Sequence, residues 1–305
     1  MRICIAHDEI GDDDGSSRYL ADVARFFREE GHDVGVAARW TRSEKPPPPA
    51  EGPWDVLLAT DRAPRIEAKR FVYAPLDLFA PTDERVDLER CDVLLRFTDG
   101  AVRALEERYA LPLAHKAIAV PYVSRAFEER PEPDFARTGN RLLWVGRLIP
   151  EKDVAFLFRA VERLRTPDWE LRVCGRGPER VPGGRVRALG FVDDLSREYA
   201  TAKLFLTASP TEHFSLTLME AYAHGTPCLG RRPDGETVRN ACDVQIEDGR
   251  TGYLFSTEEE LASRIDDLLA DEPRRQAMAR AGWQRKREVF SLARFHDALR
   301  TAIAG

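Results

Sequence analysis

A basic excess, paired cysteines and long apolar runs are all missing from this 305-residue chain. Lysine and arginine number 46 against 52 acidic residues, a formal charge of −6. No basic stripe of the kind that grips a phosphate backbone is implied, so nucleic acid is not an expected partner. No apolar run approaches the roughly 20 residues that span a bilayer, so no transmembrane segment is expected. The apolar stretch in MRICIAHDEIG is far too short for a signal peptide and reads as a strand. The five cysteines (Cys4, Cys91, Cys174, Cys228, Cys242) show no C-x-x-C spacing, and three sit in apolar strand-like runs. They read as reduced core thiols of a cytoplasmic protein, neither metal ligands nor bridges. Peripheral association with a membrane is compatible with that location.

What is present is an ordinary globular balance, 43% apolar and 32% charged, at a length natural for two domains. Strand-like and helix-like patterns alternate. Arg2 to Ala6 reads as a buried strand, followed by the loop Gly11 to Ser17. An amphipathic helix then carries Tyr19, Leu20, Val23, Phe26 and Phe27 on one side. Val34 to Ala38, Val56 to Ala59, Phe71 to Ala74, Cys91 to Phe97 and Lys116 to Val120 read as further strands, with a helix over about 98–109. Thr41 to Pro53 holds four consecutive prolines and reads as a stiff surface connection. Glu128 to Asn140, with two prolines and many charges, reads as an interdomain linker. The alternation then restarts with strands at Arg141 to Gly146, Leu171 to Cys174, Arg185 to Leu189, Leu204 to Thr207 and Cys228 to Gly230. Helices are expected over 153–164, 258–269, 273–290 and 292–302. Such alternation implies parallel sheets covered by helices, with ligands at the carboxyl ends of the strands.

Polar residues converge on those ends in the second half. Arg147 and Lys152 follow the first strand in GRLIPEK, Gly175 and Gly177 follow the second in CGRGP, and Glu212 follows the strand ending near Thr207. Arginine and lysine suit a pyrophosphate, one as a planar fork and the other as a point charge. The glycines let backbone approach a ligand. In TEHFSLTLMEAYAHGTP, Ser215 is a natural N-cap, and the helix start behind it offers N–H groups to anionic oxygens. Alone, Arg147 and Lys152 would be solvated charges, Glu220 a helix-surface acid and Glu212 a turn tether. Asp12, Asp13 and Asp14 read as a cation site or, more simply, as acids complementing a helix N-terminus. Two glycines without a third before a helix make a dinucleotide fingerprint improbable.

GRLIPEK, CGRGP, ALGFV, SPTEHFSLTLMEAYAHGTP and DGRTGYLF, in this order and spacing, resemble the C-terminal half of the retaining glycosyltransferases of GT-B fold, the glycogen-synthase and mannosyltransferase-like group. GSSRYLADVARFFREEGHDV resembles that family's glycine loop and first helix. The resemblance implies an α/β architecture of two Rossmann-like domains facing across a cleft. The N-terminal domain, residues 1–135, would bind acceptor, and the C-terminal domain, residues 136–290, would bind a nucleoside diphosphate sugar. The last helix, within 291–305, would pack back on the first domain.

It further implies that Arg147 and Lys152 hold the diphosphate and that Glu212, first acid of the E-x7-E pattern, lies by the donor sugar. Glu220 would accept from the ribose hydroxyls. Gly146, Gly175, Gly177 and the turn His213, Phe214, Ser215 and Leu216 would line the donor site. The base would lie by Gly190, Phe191 and Val192, and the loop at Gly15 would approach the phosphates. The implied reaction is retaining transfer of a hexose to a sugar, lipid-linked or small-molecule acceptor, with no metal or resident cofactor. Departures exist. No histidine occurs in FVYAPLDLFAP, where the family often has one, and Asp77 is expected to take part of that space. His213 and Ser215 stand where glycines are common. His7 either touches acceptor or is structural. A non-catalytic nucleotide-sugar binder and a nucleotide-sugar 2-epimerase are the competing readings.

Overall fold

In the computed structural model the chain divides into two compact units, Met1–Arg125 with Ser291–Gly305, and Ala126–Phe290. The structure describes residues 1–10, 15–41, 53–60, 66–76, 84–120, 122, 131–212 and 214–304.

The first unit runs β1 (Arg2–Ile10), α1 (Gly15–Glu29), β2 (Asp33–Thr41), β3 (Trp54–Ala59), β4 (Ala68–Tyr73), α2 (Arg85–Arg90), β5 (Val93–Arg96), α3 (Asp99–Tyr109) and β6 (Ala117–Ala119). Among the described residues these strands form one parallel sheet, ordered β2-β1-β3-β4-β5-β6. The strands are apolar because helices cover the sheet, and Ile3, Cys4, Ile5, Leu57, Leu58 and Val72 are all buried. The apolar side expected on α1 is buried as well, from Tyr19 to Phe27.

The second unit runs β7 (Asn140–Val145), α4 (Val154–Val161), β8 (Trp169–Cys174), β9 (Val186–Gly190), α5 (Ser196–Thr201), β10 (Leu204–Thr207), β11 (Thr211–Glu212), α6 (Leu216–Ala223), β12 (Cys228–Arg231), β13 (Arg239–Asn240), α7 (Cys242–Gln245), β14 (Gly252–Phe255), α8 (Glu258–Ala270) and α9 (Glu272–Val289). Its parallel sheet is ordered β14-β12-β10-β7-β8-β9. One core joins sheet to helices through Trp144, Leu157, Leu171, Leu206, Leu229, Phe255, Leu261 and Ile265. No helix among the described residues is long and apolar enough to cross a membrane.

The final helix, α10 (Leu292–Ile303), returns to the first unit. Phe295 meets Tyr19 and Tyr122 at ring distances of 5.8 and 5.3 Å, and His296 stacks on Phe26 at 4.1 Å. Arg300 pairs with Glu30 at 3.0 Å, and Arg70 Nε donates to the Ala302 carbonyl at 2.8 Å.

The segment expected as a linker differs from that expectation. Its described part, residues 131–140, belongs to the second unit, which begins at Ala126 where the expected boundary was 135/136. Phe135 is buried against Ala279 and Trp283. Arg275 Nη2 donates to the Phe135 carbonyl at 2.7 Å, and Arg137 Nη2 donates to the His224 carbonyl at 2.8 Å. One aromatic side chain with a pocket to fill overrides the polar composition around it.

Glu272 joins the same anchor. Hydrogen bonds from Arg275 and Gln276, with the Lys203 charge 3.5 Å away, bring its carboxyl from the usual 4.5 to about 2, against the opposing effect of burial. A folded-state pKa below the unfolded one contributes stability that is fully present above about pH 4.5 and is lost as pH falls towards 2. Thermal melts at pH 7, 4 and 3 should show Glu272→Gln flattening that acid limb. An unchanged limb would mean that other carboxylates set it.

Candidate active site

In the second unit the chain lays β7, β8 and β9 outward in one direction, then returns to place β10 on the other flank of β7. The strand order reverses between β7 and β10, and the crevice above such a switch point is where open α/β sheets bind ligands. The segment after β7 carries Gly146, Arg147 and Lys152, and the segment after β10 carries Glu212. The two meet there. Lys152 Nζ lies 2.5 Å from Glu212 Oε2, with side chains 23% and 24% exposed. Water therefore still reaches the pair, and its net contribution to stability is at most about 1 kcal/mol. Arg147 is exposed and has no ion-pair partner among the described residues.

Lys152 is carried by a one-turn 3-10 helix, Pro150–Lys152, closed by Asp153 in the left-handed region at φ 42°. A non-glycine residue there is strained and needs a restraint. Arg231, at the end of β12, donates to Asp153 Oδ2 at 2.7 Å and lies over the Phe156 ring at 4.9 Å. Neither Arg231 nor Asp153 stood out in the sequence, because they are 78 positions apart.

Gly175 and Gly177 have a packing task beside the ligand approach expected of them. A Cβ on Gly175 would sit 1.7 Å from the Gly146 carbonyl oxygen, and one on Gly177 would sit 2.1 Å from that of Leu148. The loops after β7 and β8 are packed backbone to backbone. Leu148 N–H donates to the Arg176 carbonyl at 2.9 Å, and Glu179 N–H donates to that of Leu148 at 3.0 Å. The glycines thus shape the loop that holds Arg147. Beyond β9, Phe191 is 40% exposed, with the Arg176 guanidinium 5.4 Å from its ring, and Val192 is half-buried beside it. An exposed phenylalanine of this kind is a ready stacking surface.

Ser215 caps α6 as expected, accepting from Leu218 N–H at 3.3 Å. Its own N–H, however, donates to Gln245 Oε1 at 2.9 Å, while Gln245 Nε2 donates to the Ser215 carbonyl at 3.0 Å. Fully buried Gln245 thus holds both backbone groups of Ser215. The N–H groups that remain for an anion at this helix start are those of Leu216 and Thr217, the first two of α6. Phe214 is buried with its ring edge-on to Phe290 at 5.5 Å, so this residue can offer a ligand only its backbone. Deeper in α6, Glu220 is 5% exposed and accepts from the Tyr199 hydroxyl at 2.7 Å. Gln245 and Tyr199 carried no sequence signal, since each acts on a partner 30 or 21 positions away.

Gly15 is the first residue of α1 in the other unit. His7 lies within β1, which continues to Ile10, rather than just past it. Its Nδ1 is 2.8 Å from Thr60 Oγ1, which in turn donates to the Ala6 carbonyl at 3.3 Å. Asp77, His213 and the three aspartates Asp12–Asp14 lie outside the described residues. All five cysteines are buried and free. Burial pushes the Cys4 and Cys91 thiols up to about 11 and Cys174 to about 12, so they stay protonated and inert near neutral pH.

Among the described residues the two six-stranded parallel α/β units make a GT-B fold. Residues 139–271 match the family described as Glycosyl transferases group 1. WaaG, "a glycosyltransferase involved in lipopolysaccharide biosynthesis", superposes with a TM-score of 0.77 over 99% of this chain and 100% of its own, at 17% identity. HepE of Anabaena, solved with UDP and glucose, gives a TM-score of 0.75 over 99% of each chain at 14% identity.

Among curated sequences, the GtfA subunit of the UDP-N-acetylglucosamine–peptide N-acetylglucosaminyltransferase of Streptococcus gordonii is 26% identical over 64% of this chain and 42% of its own length. A D-inositol 3-phosphate glycosyltransferase of Corynebacterium aurimucosum is 28% identical over 75% of this chain and 61% of its own. The chain thus matches less than two thirds of the length of either relative.

Proposed function

We propose that this protein is a retaining hexosyltransferase that takes its sugar from a nucleoside diphosphate. The observation that carries this reading is the contact of Lys152 with Glu212 across the switch point, with Arg147 exposed on the same loop. In the proposed reaction the bond between the sugar C1 and the β-phosphate oxygen breaks, and its electron pair leaves with the diphosphate. An acceptor hydroxyl forms the new bond to C1 on the same face, and its proton goes to the departing phosphate. The barrier lies in the negative charge that develops on the leaving group, and preorganised cations lower it most effectively. Arg147 supplies a bidentate fork and Lys152 a point charge, so neutralisation needs no metal.

As diphosphate engages Lys152, Glu212 is released from its ion pair to meet the hydroxyls of the donor sugar. Glu220 accepts from the ribose, the Leu216 and Thr217 N–H groups take anionic oxygens, and the base stacks on exposed Phe191. Relatives named for UDP-N-acetylglucosamine, and neighbours solved with UDP and glucose, make UDP-hexoses the first donors to try. The acceptor is a sugar, lipid-linked or small hydroxyl compound.

The test is a panel of UDP-, GDP- and ADP-hexoses followed by proton NMR of the anomeric region. The expected result is nucleoside diphosphate released together with a product, or slow hydrolysis product, that keeps the donor's anomeric configuration at first appearance. Inverted product would contradict retention. Binding without turnover across donors and hydroxyl acceptors would mean a binding protein, and a change at C2 without transfer an epimerase.

A further inference from the structure

We propose that Tyr199 is a positioning residue for nucleotide recognition, its hydroxyl holding the Glu220 carboxylate in the rotamer that receives the ribose hydroxyls. The inference rests on the ribose role proposed above for Glu220. Tyr199 is fully buried on α5 and donates to Glu220 Oε2 at 2.7 Å. Burial, reinforced by the Glu220 charge, holds its hydroxyl protonated far above neutral pH, so it is a permanent donor. A glutamate on a helix has three side-chain torsions to fix, and a carboxylate used to read ribose must present one oxygen in one place.

The tyrosine is itself fixed from two sides. Thr226 Oγ1 donates to its backbone carbonyl at 2.7 Å. The His224 ring stacks on its ring at 5.3 Å and 17°, with His224 Nδ1 2.8 Å from the Glu220 carbonyl. Tyr199, His224 and Glu220 therefore interlock α5 with the C-terminal end of α6, and the Tyr199 hydroxyl ends on the carboxylate.

A residue that merely filled the core would affect all ligands alike, whereas a positioning residue for Glu220 affects only ligands that have a ribose hydroxyl to offer. The nucleoside diphosphate that binds best among UDP, GDP and ADP is titrated by calorimetry, alongside its 2′-deoxy and 3′-deoxy forms. Wild type is expected to prefer the ribonucleotide to the deoxy form that lacks the contacted hydroxyl by at least tenfold, as expected when a charged acceptor loses its partner. Glu220→Gln should abolish most of that preference. Tyr199→Phe should cut the preference about five- to tenfold while leaving affinity for that deoxy form unchanged.

In a variant that carries Glu220→Gln already, adding Tyr199→Phe should change no affinity. That double variant has no buried carboxylate at this position to lose a hydrogen bond, so it supplies the reading if Tyr199→Phe alone does not fold. If Glu220→Gln loses the preference and Tyr199→Phe keeps it, the positioning role is overturned and the ribose role of Glu220 stands. If Tyr199→Phe weakens ribo and deoxy forms equally, or the second substitution weakens both in the Gln background, Tyr199 is a packing residue and the inference fails. If Glu220→Gln itself leaves the preference intact, the ribose assignment falls and the inference with it.

Discussion

Lys152→Ala is expected to lower sugar transfer about 100- to 1,000-fold, the loss typical of removing one preorganised donor from a site of developing negative charge. The melting temperature should move little, because the Lys152–Glu212 pair is partly solvated and contributes little to folding. The two readouts together separate a catalytic clamp from a structural ion pair. Glu212 keeps its access to water when its partner is gone, so the variant leaves no buried charge to unfold the unit. Arg147 cannot take over, since a fork and a point charge reach different phosphate oxygens. Initial-rate measurements at saturating donor check the effect. A loss below about threefold would remove Lys152 from the leaving-group site.

Gly175→Ala is expected to destabilise the second unit by about 4 kcal/mol or more, at the extreme of single substitutions. The new Cβ would lie 1.7 Å from the Gly146 carbonyl oxygen at φ +146°, and neither strand end can give way. Gly146 N–H is bonded to the Cys174 carbonyl at 3.0 Å and Gly175 N–H to that of Gly190 at 2.7 Å. For a unit of this size the shift corresponds to a fall in Tm of roughly 10 °C. Gly184→Ala is the control. Its φ is +67° with nothing within 4 Å of the added methyl, so only backbone strain of about 1–3 kcal/mol is expected. Equal melting shifts for the two variants would show that the close approach of the loops after β7 and β8 contributes nothing.

Much of this architecture is legible in the chain because its signals are local. The apolar run Leu204–Thr207 is β10 to the residue, and Ser215 caps α6 as its residue type implies. The positions of Arg147, Lys152 and Glu212 relative to strand ends follow from the same local reading. The rest is non-local. Helices α2 and α5 are six residues each, too short for a periodic pattern to show. Gln245 clasping Ser215, Arg231 restraining Asp153 and Tyr199 holding Glu220 exist only once the sheet order has brought distant segments together. The glycines were visible, but the packing of loop on loop that they also allow was not. A close approach looks the same in sequence whether the neighbour is a ligand or another loop. Phe135 misled for a related reason, since one apolar residue in a charged run says nothing of the pocket made by Ala279 and Trp283.

The central claim is that the loop after β7 forms the diphosphate site. Titration calorimetry of the preferred nucleoside diphosphate against wild type and Arg147→Ala tests it most directly. The side chain is exposed and unpaired among the described residues, so its removal leaves the fold unchanged and any effect is on the ligand. The account predicts that affinity falls at least tenfold, the weight of one bidentate charge-assisted contact. Equal affinities for the two proteins would contradict it.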